Sequence, residues 1–145
     1  MTTISATKTM TFDAGHRLSQ YDGKCFKLHG HTYKLEITVS GQIDSIGMVI
    51  DFNIIKDIYK TEVEPSFDHK TLLNKNDELN LKLFKDVPTD WITWVNYNPT
   101  AENIVLDIAT ILYQSLHTHH PHITLTQVVL WETPTSFATV NYPQS

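Results

Sequence analysis

The feature that most restricts the fold of this chain is a ten-residue stretch, 31–40, in which apolar and polar side chains alternate. Its sequence is H-T-Y-K-L-E-I-T-V-S, and its apolar face consists of Tyr33, Leu35, Ile37 and Val39. Successive side chains of a strand point to opposite faces, so a period of two predicts a strand with one buried face. A shorter alternation at residues 8–13, around Met10 and Phe12, predicts a second strand of the same kind.

Two later segments place apolar residues at the three- and four-residue spacing of a helix packed on one side. The first follows a cap at Asp51 or Asn53 and is expected to end at Pro65, because proline removes a backbone donor. The second begins at Thr100. Its expected buried face consists of Ile104, Val105, Ile108, Ala109, Leu112 and Leu116. The sequence therefore predicts two helices in the middle of the chain.

Residues rich in β-formers at 124–132 and 136–141 predict two closing strands. The predicted order is strand, strand, helix, helix, strand, strand. Because strands and helices are not interleaved, the fold class is α+β, with a mostly antiparallel sheet and the helices on one face. Residues 75–98 fit no element, and a segment of that length is usually functional or partner-bound. We expect its Trp91 and Trp94 to be buried against the core or a neighbouring subunit.

Length, charge and cysteine content restrict the class of protein. The 145 residues suit one domain spanning 1–145, and the net charge of -5 argues against non-specific binding to nucleic acid. The longest apolar stretch, 104–112, is too short to span a bilayer, and the N-terminus has no apolar signal core. One cysteine allows no intrachain disulfide. We therefore predict a cytoplasmic protein with neither a nucleic-acid nor a membrane partner.

The chain has eight histidines, and three of them form a candidate metal site. His29 and His31 are two residues apart at the start of a predicted strand, so their imidazoles share one face. His16 reaches the same ion if the first two strands pair as a hairpin. Three histidines without a fourth protein ligand make an open, catalytic type of zinc site. The alternative is that these are ordinary surface residues, and the histidine-rich run at 117–122 is discounted because no element fixes its geometry.

Four further residues have side chains suited to proton transfer or ligand binding. Cys25 stands between two lysines, whose charges lower a thiol pKa, although an inert thiol is the alternative. Asp68 precedes His69 and either orients its imidazole or simply ends a helix. Glu132 closes an apolar strand, where its carboxylate suits the paired N–H donors of an aminopyrimidine, or else forms a salt bridge.

Six motifs occur in a fixed order along the chain: F-D-A-G-H-R-L, C-F-K-L-H-G-H-T-Y-K, G-M-V-I-D-F, F-D-H-K-T-L, P-T-A-E-N and W-E-T. This ordered set resembles the 6-pyruvoyl-tetrahydropterin synthase and 6-carboxytetrahydropterin synthase family over nearly the whole chain. The resemblance implies the tunnelling fold, a four-stranded antiparallel sheet with two helices on one face. It also implies a homohexamer built from two stacked trimers. The compact C-x-x-x-H-x-H spacing resembles the bacterial 6-carboxy-forming branch.

The resemblance also implies roles for individual residues. The implied zinc ligands are His16, His29 and His31. The implied catalytic residues are Cys25, Asp68 and His69. The aspartate and histidine of that set are expected to come from a neighbouring subunit. The implied substrate-binding residues are Glu132, Thr100 and Glu102. A basic stretch offers a natural place for the substrate's triphosphate, around Arg17, Lys24 and Lys27.

The implied reaction converts 7,8-dihydroneopterin triphosphate into 6-carboxy-5,6,7,8-tetrahydropterin, acetaldehyde and triphosphate, in the biosynthesis of 7-deazaguanines such as the queuosine precursor. One alternative is the 6-pyruvoyl-tetrahydropterin synthase reaction, which eliminates triphosphate without cleaving the side chain. Another is a non-catalytic pterin- or purine-binding module, against which the presence of Cys25 and the Asp68–His69 pair argues. A salvage-type aldolase variant is disfavoured, since such variants carry glutamate in place of the cysteine.

Overall fold

A six-stranded sheet forms the frame of the protein in a computed structural model that describes residues 2–20 and 26–143. Its strands are β1 (Ile4–His16), β2 (His29–Gly41), β3 (Lys70–Asn74), β4 (Ile92–Val95), β5 (Thr124–Thr133) and β6 (Ser136–Asn141). Their spatial order is β4-β3-β1-β2-β5-β6. The pairs β1–β2, β2–β5 and β5–β6 are antiparallel, whereas β3 runs parallel to both β1 and β4. Cys25 lies outside the described residues.

The alternation in β2 builds the core, as predicted. Its four apolar residues are fully buried, while the residues between them face the other side of the sheet. Phe12 of β1 lies opposite Tyr33 of β2, and their rings stack with centroids 5.1 Å apart. The same row of side chains continues along β2 to His31 and His29, so the face that forms the core also carries the candidate metal ligands.

The helical segments are α1 (Phe52–Ile58), a π-helical stretch (Tyr59–Val63), α2 (Glu64–Phe67), α3 (Glu78–Leu83) and α4 (Ala101–His119). All except α3 contribute residues to the core on this buried face. The first three follow one another without a break, so the described residues contain three separate helices, besides a short 3₁₀ helix at Thr89–Trp91. None of the described helices combines the length and apolar content that crossing a bilayer requires.

Side-chain caps set the first residues of the two long helices. Asp51 accepts a hydrogen bond from the N–H of Asn53 at 2.8 Å, and Thr100 accepts one from the N–H of Asn103 at 3.2 Å. These bonds satisfy backbone donors that have no partner within the helix. All six residues of the predicted apolar face of α4 are buried, and burying each such side chain stabilises the fold by about 1.5–3 kcal/mol, less for alanine.

The predicted count of four strands and two helices is wrong, because residues 70–95 contribute β3, α3 and β4. Both added strands are short, five and four residues, and neither shows an alternating pattern. A short apolar run is compatible with a strand or with a helix, so tertiary pairing decides it. β3 pairs with the end of β1 through Ala14, Gly15 and His16, which places it beside the histidines.

Two smaller expectations are also corrected. The first helix continues past Pro65 to Phe67, because Pro65 lies in the first turn of α2, where a missing N–H costs little. Trp91 is 60% exposed, so it is not part of the core of its own chain, while Trp94 is half-buried. Whether a neighbouring subunit covers Trp91 stays a prediction.

Candidate metal centre and active site

The three histidines meet where β1 and β2 end. His16 lies directly opposite His29 in the antiparallel register, and His31 is two residues further along the same face of β2. One nitrogen from each ring lies within 4.8 Å of the others. His16 is fully buried and flanked by strands on both sides, whereas His29 and His31 are half-buried. The hairpin therefore brings together the three residues that the sequence singled out.

Backbone carbonyl groups fix the orientation of two of the rings. His16 Nδ1 lies 2.8 Å from the carbonyl oxygen of Pro99, and His29 Nδ1 lies 2.8 Å from that of Lys27. A carbonyl oxygen only accepts, so both Nδ1 atoms carry a proton, and in the neutral form of each ring Nε2 carries the lone pair. These two Nε2 atoms lie only 3.0 Å apart. Two facing lone pairs repel, and a cation bound by both removes that repulsion.

The third ring, that of His31, adds a further nitrogen that can bind a metal. His31 Nε2 is buried, and it neither accepts nor donates a hydrogen bond within the described part of the chain. Burial is the main reason that the pKa of His16 is lowered to about 4; the Pro99 carbonyl acts in the opposite direction, and the neighbouring imidazoles add to the lowering. Burial also lowers the pKa of His31, although the nearby Glu132 carboxylate acts in the opposite direction.

The imidazoles of His16 and His31 are thus neutral near pH 7, and the neutral imidazole is the form that binds metal. A backbone carbonyl that accepts a hydrogen bond from the ring nitrogen not bound to the metal is also typical of metal-binding histidines. Three converging imidazole nitrogens fit zinc, which accepts such ligands readily.

The three predicted substrate-binding residues share one cleft of about 800 Å³. Glu132 reaches it from the end of β5, and Thr100 and Glu102 reach it from the start of α4. The remaining wall includes Ser19, Gln20, Asn98, Val105 and Leu106. Glu132 Oε1 also lies 3.8 Å from His31 Nε2, so the cleft adjoins the histidine cluster. A volume of this size accommodates a small heterocyclic ligand.

The Asp68–His69 pair is held rigidly but away from this cleft. His69 Nδ1 lies 3.0 Å from Asp68 Oδ2, and the N–H of Asp13 donates to Asp68 Oδ1 at 3.0 Å. The N–H of His69 donates back to the Asp13 carbonyl, and His69 has a φ of 58°, a strained value for a residue other than glycine. Its side chain is 78% exposed and lines a separate, shallower depression that includes His31.

The two members of this pair shift each other's titration. Burial raises the pKa of Asp68, but the hydrogen bonds from Asp13 and His69 outweigh it and hold that pKa below its usual value. The hydrogen bond to Asp68 in turn raises the pKa of His69. A histidine oriented by a carboxylate and open to solvent is suited to donate or accept a proton.

Sequence reasoning missed the groups that orient the histidines. The carbonyls of Pro99 and Lys27 belong to the backbone, which leaves no residue-type signal in a sequence. Arg17, expected near the triphosphate, is instead buried in an ion pair with Asp77 at 2.9 Å. Lys27 remains exposed, and Lys24 lies outside the described residues.

The relationship of the chain to known proteins follows from a family match. Residues 5–143 match the family model described as 6-pyruvoyl tetrahydropterin synthase. The chain belongs to this family. The match includes all three histidines, Glu132 and the segment between them, so the prediction made from the ordered motifs is confirmed.

Two relatives show which branch of the family this chain is similar to. The 6-carboxy-5,6,7,8-tetrahydropterin synthase of Rickettsia bellii is 37% identical over 138 residues, covering 94% of this chain and 99% of the relative. The enzyme of the same name from Haemophilus influenzae is 35% identical over 145 residues, covering 90% and 93%. These relatives confirm the predicted 6-carboxy branch. The crystal structure of 6-pyruvoyl tetrahydropterin synthase from Plasmodium vivax superposes with a TM-score of 0.75 at 19% identity, covering 98% and 99%, which shows the shared fold.

Proposed function

We propose that this protein is a zinc-dependent 6-carboxy-5,6,7,8-tetrahydropterin synthase. It would convert 7,8-dihydroneopterin triphosphate into 6-carboxytetrahydropterin, acetaldehyde and triphosphate, as a step toward 7-deazaguanines. The observation that carries the proposal is the convergence of three histidine ring nitrogens beside a cleft lined by Glu132, whose carboxylate accepts no hydrogen bond from another described residue. The relatives that are 35% and 37% identical over nearly their whole length carry this name.

The metal would be held by His16, His29 and His31. Zinc bound there supplies Lewis acidity, which polarises hydroxyl and carbonyl oxygens of a substrate side chain. The protein prepares the ligands before the metal arrives, since the Pro99 and Lys27 carbonyls keep two Nε2 lone pairs directed at one point. Little rearrangement is then needed on binding.

Glu132 would hold the pterin ring. Its carboxylate lines the cleft and accepts no hydrogen bond from another described residue, so both oxygens remain available to the amino and ring N–H groups of an aminopyrimidine. Thr100 and Glu102 lie at the first turn of α4 on the same cleft wall. Val105 and Leu106 offer apolar contacts to the flat faces of the ring. The ring would therefore lie in the cleft with its side chain toward the histidines.

Proton transfer would fall to Cys25 and to the Asp68–His69 pair. Cys25 is four residues before His29 in the sequence, and its thiolate would take the proton that starts the rearrangement. The exposure of His69 and its separation from its own cleft support a role in a neighbouring subunit's site. This arrangement requires an oligomer, for which we propose a hexamer made of two trimers.

The sheet itself supports assembly. Its terminal strands β4 and β6 each have one side unpaired within the described chain, and an open sheet edge is a natural site for pairing with another subunit. We place the enzyme in the cytoplasm. A chain with a single cysteine forms no intrachain disulfide, which suits a reducing compartment.

Product analysis tests the proposal directly. The zinc-loaded protein is incubated with 7,8-dihydroneopterin triphosphate, acetaldehyde is trapped enzymatically, and the pterins are separated and identified by mass. Equal amounts of acetaldehyde and 6-carboxytetrahydropterin are expected. Triphosphate and a 6-pyruvoyl product without acetaldehyde would assign the other branch. Binding without any product would indicate a pterin-binding module. His31→Ala should abolish product formation, whereas His120→Ala should not.

A further inference from the structure

The residue that follows the metal-ligand candidate His16 is an arginine whose charge is buried. Arg17 is only 4% exposed, and its guanidinium donates to Asp77 Oδ2 at 2.9 Å and to Asn80 Oδ1 at 2.8 Å. The guanidinium carbon also lies 4.4 Å from the centre of the Phe26 ring. A buried charge persists only when it is paired and hydrogen-bonded, and these contacts meet that condition.

The same network holds the chain that leaves β1. The hydroxyl of Ser19 donates to Asp77 Oδ2 at 2.6 Å. The side chain of Asn98 accepts from the Ser19 N–H at 2.8 Å and donates to the Ser19 carbonyl at 3.1 Å. The next residue after Asn98 is Pro99, whose carbonyl orients His16. Six hydrogen bonds therefore tie residues 16–19 to the segment that ends in Pro99.

Two of the tied residues are parts of the proposed site. His16 is a candidate zinc ligand, and Ser19 lines the cleft together with Asn98. Asp77 and Asn80 come from the start of α3, in the segment that the sequence left unassigned. This segment thus forms hydrogen bonds with Arg17 and Ser19, next to the proposed site.

We infer that Arg17 is a positioning residue, which fixes His16 and the Ser19 wall of the cleft through its buried contacts with Asp77 and Asn80. It does not bind the substrate's triphosphate, because the side chain is buried and its Nη1 already donates to Asp77 and Asn80. The inference deepens the proposed function, yet it concerns metal binding, which is measurable without turnover. If the proposed reaction is not observed, the positioning role of Arg17 can still be correct. If Arg17 does not position His16, the proposed reaction can still be correct.

Conservative variants of the buried pair test this role. Asp77→Asn keeps the size of the side chain but removes its charge, and Arg17→Lys keeps the charge but not the planar fork. Each apo-protein is titrated with zinc in competition with a chromophoric chelator, and separately with inorganic triphosphate by calorimetry. Zinc affinity is expected to fall about tenfold in both, the lower end of the range for residues that orient a ligand. Affinity for triphosphate should not change.

Further variants separate positioning from general stability. Asp107→Asn is the matched control, because Asp107 is also partly buried and accepts a 2.6 Å hydrogen bond from Tyr97, but does not line the cleft. It should leave zinc affinity unchanged. The visible spectrum of the cobalt(II) form, which reports ligand geometry, should shift in the Arg17 and Asp77 variants but not in Asp107→Asn. Ser19→Ala removes one bond of the network and serves if either variant fails to fold, with a smaller loss of zinc affinity expected.

Two results would overturn the inference. Unchanged zinc affinity and cobalt spectra in Arg17→Lys, Asp77→Asn and Ser19→Ala would show that the network does not position His16. Loss of triphosphate affinity in Arg17→Lys, with retention or gain in Asp77→Asn, would show that Arg17 binds the anion itself. The double variant Arg17→Lys, Asp77→Asn should lose no more zinc affinity than the weaker-binding of the two single variants, because both changes break the same network.

Discussion

Replacing Glu132 by glutamine should weaken pterin binding without removing zinc. The Glu132 side chain is 21% exposed in the cleft, and within the described chain its only close titratable neighbour is His31, which is neutral near pH 7. Glutamine has nearly the same size, but it is uncharged and presents an N–H₂ donor where one oxygen accepted. One of two paired hydrogen bonds is then replaced by two facing donors. Hydrogen bonds to charged groups contribute about 1.5–3 kcal/mol, so the dissociation constant should rise about ten- to a hundredfold.

The assay is a calorimetric titration of zinc-loaded protein with a pterin that lacks the triphosphate and does not react. Glu36→Gln is the matched control, because Glu36 is 27% exposed on the neighbouring strand and accepts a hydrogen bond from Trp131 at 2.5 Å, on the opposite face of the sheet. Its affinity for pterin should equal that of the unaltered protein. Equal affinity in Glu132→Gln, or an equal loss in both variants, would refute the anchoring role of Glu132.

Three further results are expected. Cys25→Ala should abolish turnover while zinc content and thermal unfolding stay unchanged, and alkylation should give a thiol pKa below the usual value of about 8.5; substantial residual activity would exclude a catalytic thiol. Asp68→Asn should lower the pKa of His69 in an NMR titration, since Asp68 raises it in the folded protein; an unchanged pKa would contradict the pairing. Metal-free protein should lose stability as the pH falls. The folded pKa of His16 is about 4, so the unfolded chain binds more protons between about pH 6.5 and 4. Urea unfolding should show about 2 kcal/mol less stability at pH 5 than at pH 7.5, and His16→Gln should remove most of this difference.

The elements with long, regular patterns could be predicted from the sequence. The alternation of 31–40 identifies the core face of β2, and the spacing from Ile104 to Leu116 identifies the buried face of α4. Both signals depend on periodicity, which is independent of the rest of the fold. β3 and β4 have no such signal, because each is short and forms by parallel pairing with strands distant in the chain.

The candidate site shows the same division. The spacing of His29 and His31 places two imidazoles on one face, a hairpin adds His16, and the end of an apolar strand makes Glu132 a candidate for ligand binding. The contacts that prepare these residues depend on tertiary structure instead. Arg17 and Asp77 are 60 residues apart, and the carbonyl that orients His16 lies 83 residues further along the chain. No local pattern encodes such contacts, because a backbone carbonyl is present at every residue.

Metal analysis of purified protein tests the histidine centre most directly. One zinc per subunit is expected, with a metal-edge X-ray absorption spectrum typical of imidazole ligands. The His29→Ala, His31→Ala double variant should lose nearly all of this zinc, while a variant lacking the histidines of the 117–122 run should keep it. If zinc instead follows the 117–122 run and persists in the double variant, the three converging histidines are not the metal site.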